Sequence, residues 1–130
     1  MHGYVLNIEE ETLANTDYRR VLYTAHNSQL VLMSLKPGEE IGEEVHRLDQ
    51  FIRFEAGNAT VYIDEKIYEV SADWAVVIPA GSKHNVVNSG SVDLKLYSVY
   101  APPEHRDGVV HTSKEQADAN EEHFDGRTTE

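Results

Sequence analysis

Two stretches of the chain concentrate side chains that can hold a metal ion or move a proton. The first, Gly38 to Gly57, carries Glu44, His46 and Gln50; the second, Asp73 to Asn88, carries His84 shortly after Pro79-Ala80-Gly81. Residues two apart on a strand point to the same face, so Glu44 and His46 project together, and an even offset can return Gln50 to that side. His84 belongs to another strand, beginning just past the Pro79-Ala80-Gly81 turn. Two imidazoles, a carboxylate and an amide oxygen suit one divalent ion of Mn, Fe, Co, Ni or Zn, and ligand type does not choose among them. The chain has no cysteine, which removes thiolate metal sites, iron–sulfur clusters, disulfides and a cysteine nucleophile together.

Each of these residues also has a plainer reading. Glu44 ends the acidic run Glu39, Glu40, Glu43, Glu44 and can be an ordinary solvated acid, while Gln50 can simply hydrogen-bond a neighbour. A lone histidine is more often structural than functional, which is the first reading for His26, His105 and His111. Those three and Lys83 are nonetheless the side chains free to act as acid or base beside a metal. Phe51, Phe54, Tyr62, Trp74, Tyr97 and Tyr100 read first as core or interface aromatics, and second as pocket lining.

A β-rich domain must position these groups. Short β-type runs recur every eight to twelve residues between turn residues: Tyr4 to Ile8, Arg20 to Thr24, Leu30 to Leu35, Glu43 to His46, Phe51 to Glu55, Thr60 to Asp64, Ile67 to Val70, Trp74 to Ile78, Lys83 to Val87 and Leu94 to Tyr100. Ten strands in one small domain predict an all-β sandwich or barrel. A barrel gathers inward residues of different strands near its mouth. Short helical pieces are expected at Glu9 to Ala14 and after Ser113, where Ser113-x-x-Gln116 has the form of a capping box. One domain over residues 1–112 is expected, followed by an acidic tail, 113–130. That tail has Phe124 as its only large apolar side chain and is expected to be solvated and mobile.

Composition narrows the function classes. The chain has 130 residues, with 23 acidic residues against 11 Lys plus Arg and a formal charge of −12. A domain of this size buries enough surface to fold without staples. The charge repels phosphate backbones and anionic lipid, and no basic stripe overrides it, so nucleic-acid and membrane partners are not expected. No run approaches the ~20 apolar residues of a membrane span, and a cytoplasmic protein is the expectation.

The two stretches resemble the paired motifs of the cupin superfamily. That pattern runs Gly, five residues, His-x-His, three or four residues, Glu, six residues, Gly, and then Gly, five residues, Pro-x-Gly, two residues, His, three residues, Asn. Gly38, Glu44-x-His46, Gln50 and Gly57, followed by Pro79-x-Gly81-x-x-His84-x-x-x-Asn88, meet every spacing. The fifteen residues between Gly57 and Asp73 resemble the short intermotif of small one-domain cupins, and the likeness covers roughly Val21 to Thr112. It implies a double-stranded β-helix, or jelly-roll barrel, with Glu44, His46, Gln50 and His84 at the metal-ligand positions. Three residues depart from the pattern: Glu44 stands where the first His is usual, Gln50 where Glu is usual, and Asp73 where Gly is usual, the last expected only to alter a turn. The ligand charge is conserved at −1 with neutral imidazoles, so binding with reduced affinity is expected. Phosphomannose isomerase, itself a cupin, is similar in using two His, one Glu and one Gln around zinc, with Glu and Gln exchanged relative to this chain.

This resemblance implies a metal-binding protein acting on a small polar metabolite, such as a sugar or oxo-acid, by isomerase-like Lewis-acid chemistry. Only Arg47 and Lys83 lie close to the ligands in sequence, which favours an unphosphorylated substrate at least equally. A non-catalytic binding module and an iron-dependent dioxygenase are the alternatives. Small cupins resemble one another in pairing as dimers through outer strands, and Tyr4 to Ile8 is a candidate for exchange or edge pairing between copies.

Overall fold

Asn7 accepts the Glu10 N–H at 3.1 Å and so starts helix α1, Ile8–Ala14, whose first turn holds Glu9, Glu10 and Glu11. An Asx cap and three acids at the positive end of the helix suit this position. The computed structural model, which describes all 130 residues, therefore corrects the expected strand at Tyr4 to Ile8: Ile8 is already helical, and the residues before it form no strand. Tyr4 instead stacks on Tyr23 with ring centroids 5.5 Å apart.

Ten strands follow: β1 (Arg19–Thr24), β2 (Gln29–Leu35), β3 (Glu44–Val45), β4 (Asp49–Ala56), β5 (Asn58–Ile63), β6 (Lys66–Ser71), β7 (Ala75–Ile78), β8 (Lys83–Asn88), β9 (Leu94–Ala101) and β10 (Val110–His111). A second helix, α2 (Lys114–Ala119), closes the list of elements. All pairings are antiparallel, in a six-stranded sheet ordered β10-β1-β2-β9-β4-β7 and a four-stranded sheet ordered β3-β8-β5-β6. This is the expected jelly-roll, double-stranded β-helix arrangement.

Alternation along three strands sets the core and the site at once. On β4 the inward residues are Gln50, Ile52 and Phe54; on β9 they are Leu94, Leu96, Ser98 and Tyr100; on β8 they are His84, Val86 and Asn88. Ile52, Phe54, Leu94 and Leu96 are fully buried with Val31, Met33 and Leu35 of β2. The same period of two turns apolar residues into the core over most of each strand and delivers Gln50, His84, Ser98 and Tyr100 at one end.

Two turns show why particular residues stand where they do. Gly57 has φ 94°, and a Cβ there would meet the Asp93 carbonyl oxygen at 3.0 Å and Leu94 Cα at 3.1 Å, both immovable backbone. Asp73 adopts φ 74°, the left-handed conformation that Asp tolerates better than most residues. Its backbone N–H donates to Phe54 O at 2.8 Å and its carboxylate pairs with Arg53 at 3.1 Å. The exchange of Gly for Asp thus alters only a turn.

At the C-terminal end, Ser113 caps α2 by accepting the Gln116 N–H at 3.1 Å. The Gln116 side chain reaches back to the Thr112 N–H, one residue earlier than a capping box requires. Segment 113–130 lies along the barrel: Ala117 is buried in the core, the Phe124 N–H donates to Glu104 O, the Thr129 N–H donates to Thr24 O, and Glu130 meets Tyr23. No helix is long and apolar enough to cross a membrane.

Candidate metal centre

Two backbone clamps bring the motifs together. The Gly81 N–H donates to His46 O at 2.8 Å, and the Ala80 N–H donates to the Asp49 carboxylate at 2.9 Å. They hold the Pro79-Ala80-Gly81 turn against the segment joining β3 to β4. In the adjoining ladder Glu44 and His84 are register partners, so a carboxylate and an imidazole face each other across β3 and β8. His46 follows just after β3, with its ring centroid 5.1 Å from that of His84.

The ligand atoms of Glu44, His46 and His84 all lie within 4.8 Å of one another. Donors each about 2.0–2.2 Å from a shared ion would be closer than that to one another, so small side-chain movements suffice. Each histidine has a suitable tautomer available. The Ser82 carbonyl only accepts, so His84 Nδ1 donates to it at 2.9 Å, leaving Nε2 free to ligate. His46 Nε2 meets Glu44 Oε2 at 2.6 Å, while its Nδ1 faces Glu104 Oε1 at 3.7 Å.

The electrostatics follow from these contacts. Burial pushes the Glu44 pKa up, but the hydrogen bond and charge of His46, with Arg19 and His84 adding to them, bring it below the usual carboxylate value. Burial pushes His46 down, and its bond to Glu44 with the charges of Glu44 and Glu104 outweighs that and raises it. A divalent ion would take the place of the proton shared between them, since ligands must be deprotonated to bind.

Gln50 is 3% exposed. Its Nε2 donates to Ser98 Oγ at 3.1 Å and Tyr100 Oη at 3.3 Å, whereas its Oε1 is buried without a hydrogen-bond partner. The Tyr100 ring stands edge-on to His46, 6.2 Å between centroids, which places Gln50 beside the triad. A buried acceptor with no donor is costly, and coordination would remove that cost. The residues present therefore fit a divalent ion.

Glu44 and His46 open onto a cavity of about 740 Å³, lined also by Arg19, Glu104, His105 and Glu122. Of the acid–base candidates, His105 alone lines this cavity; His26, Lys83 and His111 do not. His105 Nδ1 donates to Glu122 at 2.8 Å, and its Nε2 is buried without a partner. The carboxylate orients the ring through Nδ1 and leaves Nε2 as its one nitrogen without a partner. Arg19, Glu104 and Glu122 escaped the reading of the sequence. They lie outside both motifs, and Arg19 meets His111 across 92 positions.

The family model for the cupin domain matches residues 31–100. The chain belongs to the cupin family. Protein YrkC of Bacillus subtilis (strain 168) is 43% identical over 129 residues, spanning 92% of this cupin and 68% of YrkC. Protein L612 of Acanthamoeba polyphaga mimivirus is 44% identical over 120 residues, spanning 88% and 74%. The crystal structure of BH2720 from Bacillus halodurans superimposes with a TM-score of 0.89 at 46% identity, covering 92% of this cupin and 98% of that chain.

Proposed function

We propose that this cupin holds one divalent metal ion through Glu44, His46 and His84, with Gln50 Oε1 as the fourth ligand, and catalyses a proton shift on a small polar metabolite such as a sugar or oxo-acid. The observation that carries this reading is the cluster of Glu44, His46 and His84 ligand atoms, with Glu44 and His46 lining the same cavity as His105, whose buried Nε2 has no partner.

A bound ion would supply Lewis acidity toward a hydroxyl or carbonyl oxygen. The chain's own groups do the rest. Glu122 holds the His105 ring through Nδ1, so a proton would be accepted or returned at Nε2. Ser98 and Tyr100 hold the Gln50 amide so that its oxygen stays free. Burial raises the Tyr100 pKa far above its ordinary value, which keeps the phenol a neutral neighbour.

Elemental analysis of protein never exposed to chelator or nickel resin tests the metal. About one equivalent, lost in the Glu44→Ala/His84→Ala double variant, is expected; no uptake even after reconstitution overturns the reading. For the reaction, exchange of carbon-bound hydrogen for deuterium, followed by NMR on hydroxy-aldehydes, sugars and oxo-acids, is expected with the loaded protein. It is expected to fall at least ~100-fold in His105→Asn. Saturable binding without exchange would instead mark a binding module, and oxygen consumption by an iron-loaded form a dioxygenase.

Assembly as a homodimer is part of the same proposal. It is supported by β6 and β7, which end their sheets and leave Ile67, Trp74 and Val77 exposed on or beside them, as sheet edges available for pairing. A light-scattering mass near twice 14.7 kDa is expected, and a monomer mass overturns it.

A further inference from the structure

Arg19 is 9% exposed and lines the cavity onto which Glu44 and His46 open. It takes part in none of the molecule's ion pairs. Its Nε is buried with no hydrogen-bond partner, and its Nη1 meets His111 Nδ1 at 3.2 Å. A guanidinium only donates, so His111 presents a lone pair there and is neutral. Burial and the Arg19 charge lower the His111 pKa, in keeping with that. The Tyr18 ring lies 5.5 Å from the guanidinium carbon and offers its π face, but no compensating charge. Glu44 and Glu122 feel the Arg19 charge without pairing with it. A buried cation left unpaired is expensive, and this one stands at the wall of the candidate site.

We propose that Arg19 is the anion-receiving residue of this cavity and that the natural ligand is a small monocarboxylic acid bearing a neighbouring hydroxyl or oxo oxygen, its carboxylate on Arg19 and its second oxygen toward the Glu44, His46 and His84 group. The planar guanidinium matches a carboxylate in two parallel hydrogen bonds. Single charge follows from the rest of the wall: Glu104, Asp118, Glu121 and Glu122 line the same cavity, and the one other guanidinium, Arg47, is exposed to water. A dianion such as phosphate would meet that acidic lining with only one buried cation to receive it. The orientation of the second oxygen rests on the metal reading above; the carboxylate contact does not.

Calorimetric titration of glycolate, its neutral amide glycolamide and inorganic phosphate into the full chain, metal-loaded and metal-free, tests the assignment. Wild-type protein is expected to prefer glycolate over glycolamide at least tenfold, and Arg19→Gln to lose that preference while keeping metal affinity within about threefold; Arg19→Lys keeps part of it. Should Arg19→Gln fail to fold, the wild-type ratio of glycolate to glycolamide decides by itself. Equal binding of acid and amide, a preference retained in folded Arg19→Gln, or no saturable glycolate binding to either form overturns the proposal, and tighter phosphate binding overturns the carboxylate class. Failure of metal uptake with the acid preference intact would instead remove the metal reading and leave Arg19 in its role.

Discussion

Glu44 and His84 sit directly opposite each other across β3 and β8, so a single antiparallel pair presents a carboxylate and an imidazole to the same small volume. His46 joins them from the residue beyond β3, tied through its carbonyl to Gly81. The ladder supplies two of the three clustered groups, and the turn clamp supplies the third. Replacing Glu44 and His84 by Ala together is expected to abolish metal uptake, read by elemental analysis. The isolated Glu44→Ala change is expected to leave the fold intact by circular dichroism, since half-buried Glu44 is no part of the core.

Gln50 separates a ligand from a structural amide. Its Nε2 is committed to Ser98 and Tyr100 and its Oε1 has no partner. In Gln50→Leu, metal affinity is expected to fall at least the ~10-fold typical of disturbing a metal site's surroundings. Stability of the metal-free protein should change by less than ~2 kcal/mol, because the hydroxyls lose one neutral donor while the orphaned oxygen disappears. In Gln50→Glu the order reverses: a carboxylate binds the ion more tightly, and a second buried acid near Glu44 destabilises the metal-free form. Competition with a chelator dye and thermal melts with and without metal read both effects.

Much of this site was legible because it depends on local rules. Glu44-x-His46 and the inward position of His84 follow from strand alternation and from the turn at Pro79-Ala80-Gly81, and nine of the ten expected strands stand near their expected places. The failures have two causes, one local and one long-range. Tyr4 to Ile8 has β-type residues, but the Asn7 cap and the acids after it decide for a helix from Ile8. Two-residue β10 has no period to detect and exists because Arg19 and His111 pair across the chain. Arg19, Glu104 and Glu122 reach the cavity only through such long-range packing, which no local pattern encodes.

Gly57 closes the first motif for a steric reason that a substitution exposes. Gly57→Ala would need both a left-handed backbone and a displacement of Asp93 or Leu94. A loss of roughly 2 kcal/mol is expected, lowering the melting temperature by about 5–10 °C. Asp73→Gly makes the contrast, since glycine holds φ 74° without strain and the Arg53 pair it gives up is exposed on the Asp73 side. A shift within about 1 kcal/mol is expected there.

The tail carries a pH dependence that can be signed from one residue. Glu122 accepts from His105 Nδ1 at 2.8 Å and from the Arg106 N–H at 2.6 Å. Burial pushes its carboxyl pKa up, but these hydrogen bonds, the charge of His105 and that of Arg19 outweigh it, and the folded-state pKa lies below the usual carboxylate value. A group depressed on folding contributes its stabilisation above the unfolded pKa of about 4.3 and loses it as pH falls through the folded value. Glu122→Gln removes the charge at every pH. The melting temperature of wild type should therefore exceed that of Glu122→Gln at pH 7, and the gap should shrink as pH falls below about 4.3. Limited proteolysis after Glu121 should follow the same course, with the variant cut faster at neutral pH and the two chains converging in acid. A gap that widened in acid, or tails equally protected at pH 7, would mean that the Glu122 charge does not hold the tail against His105.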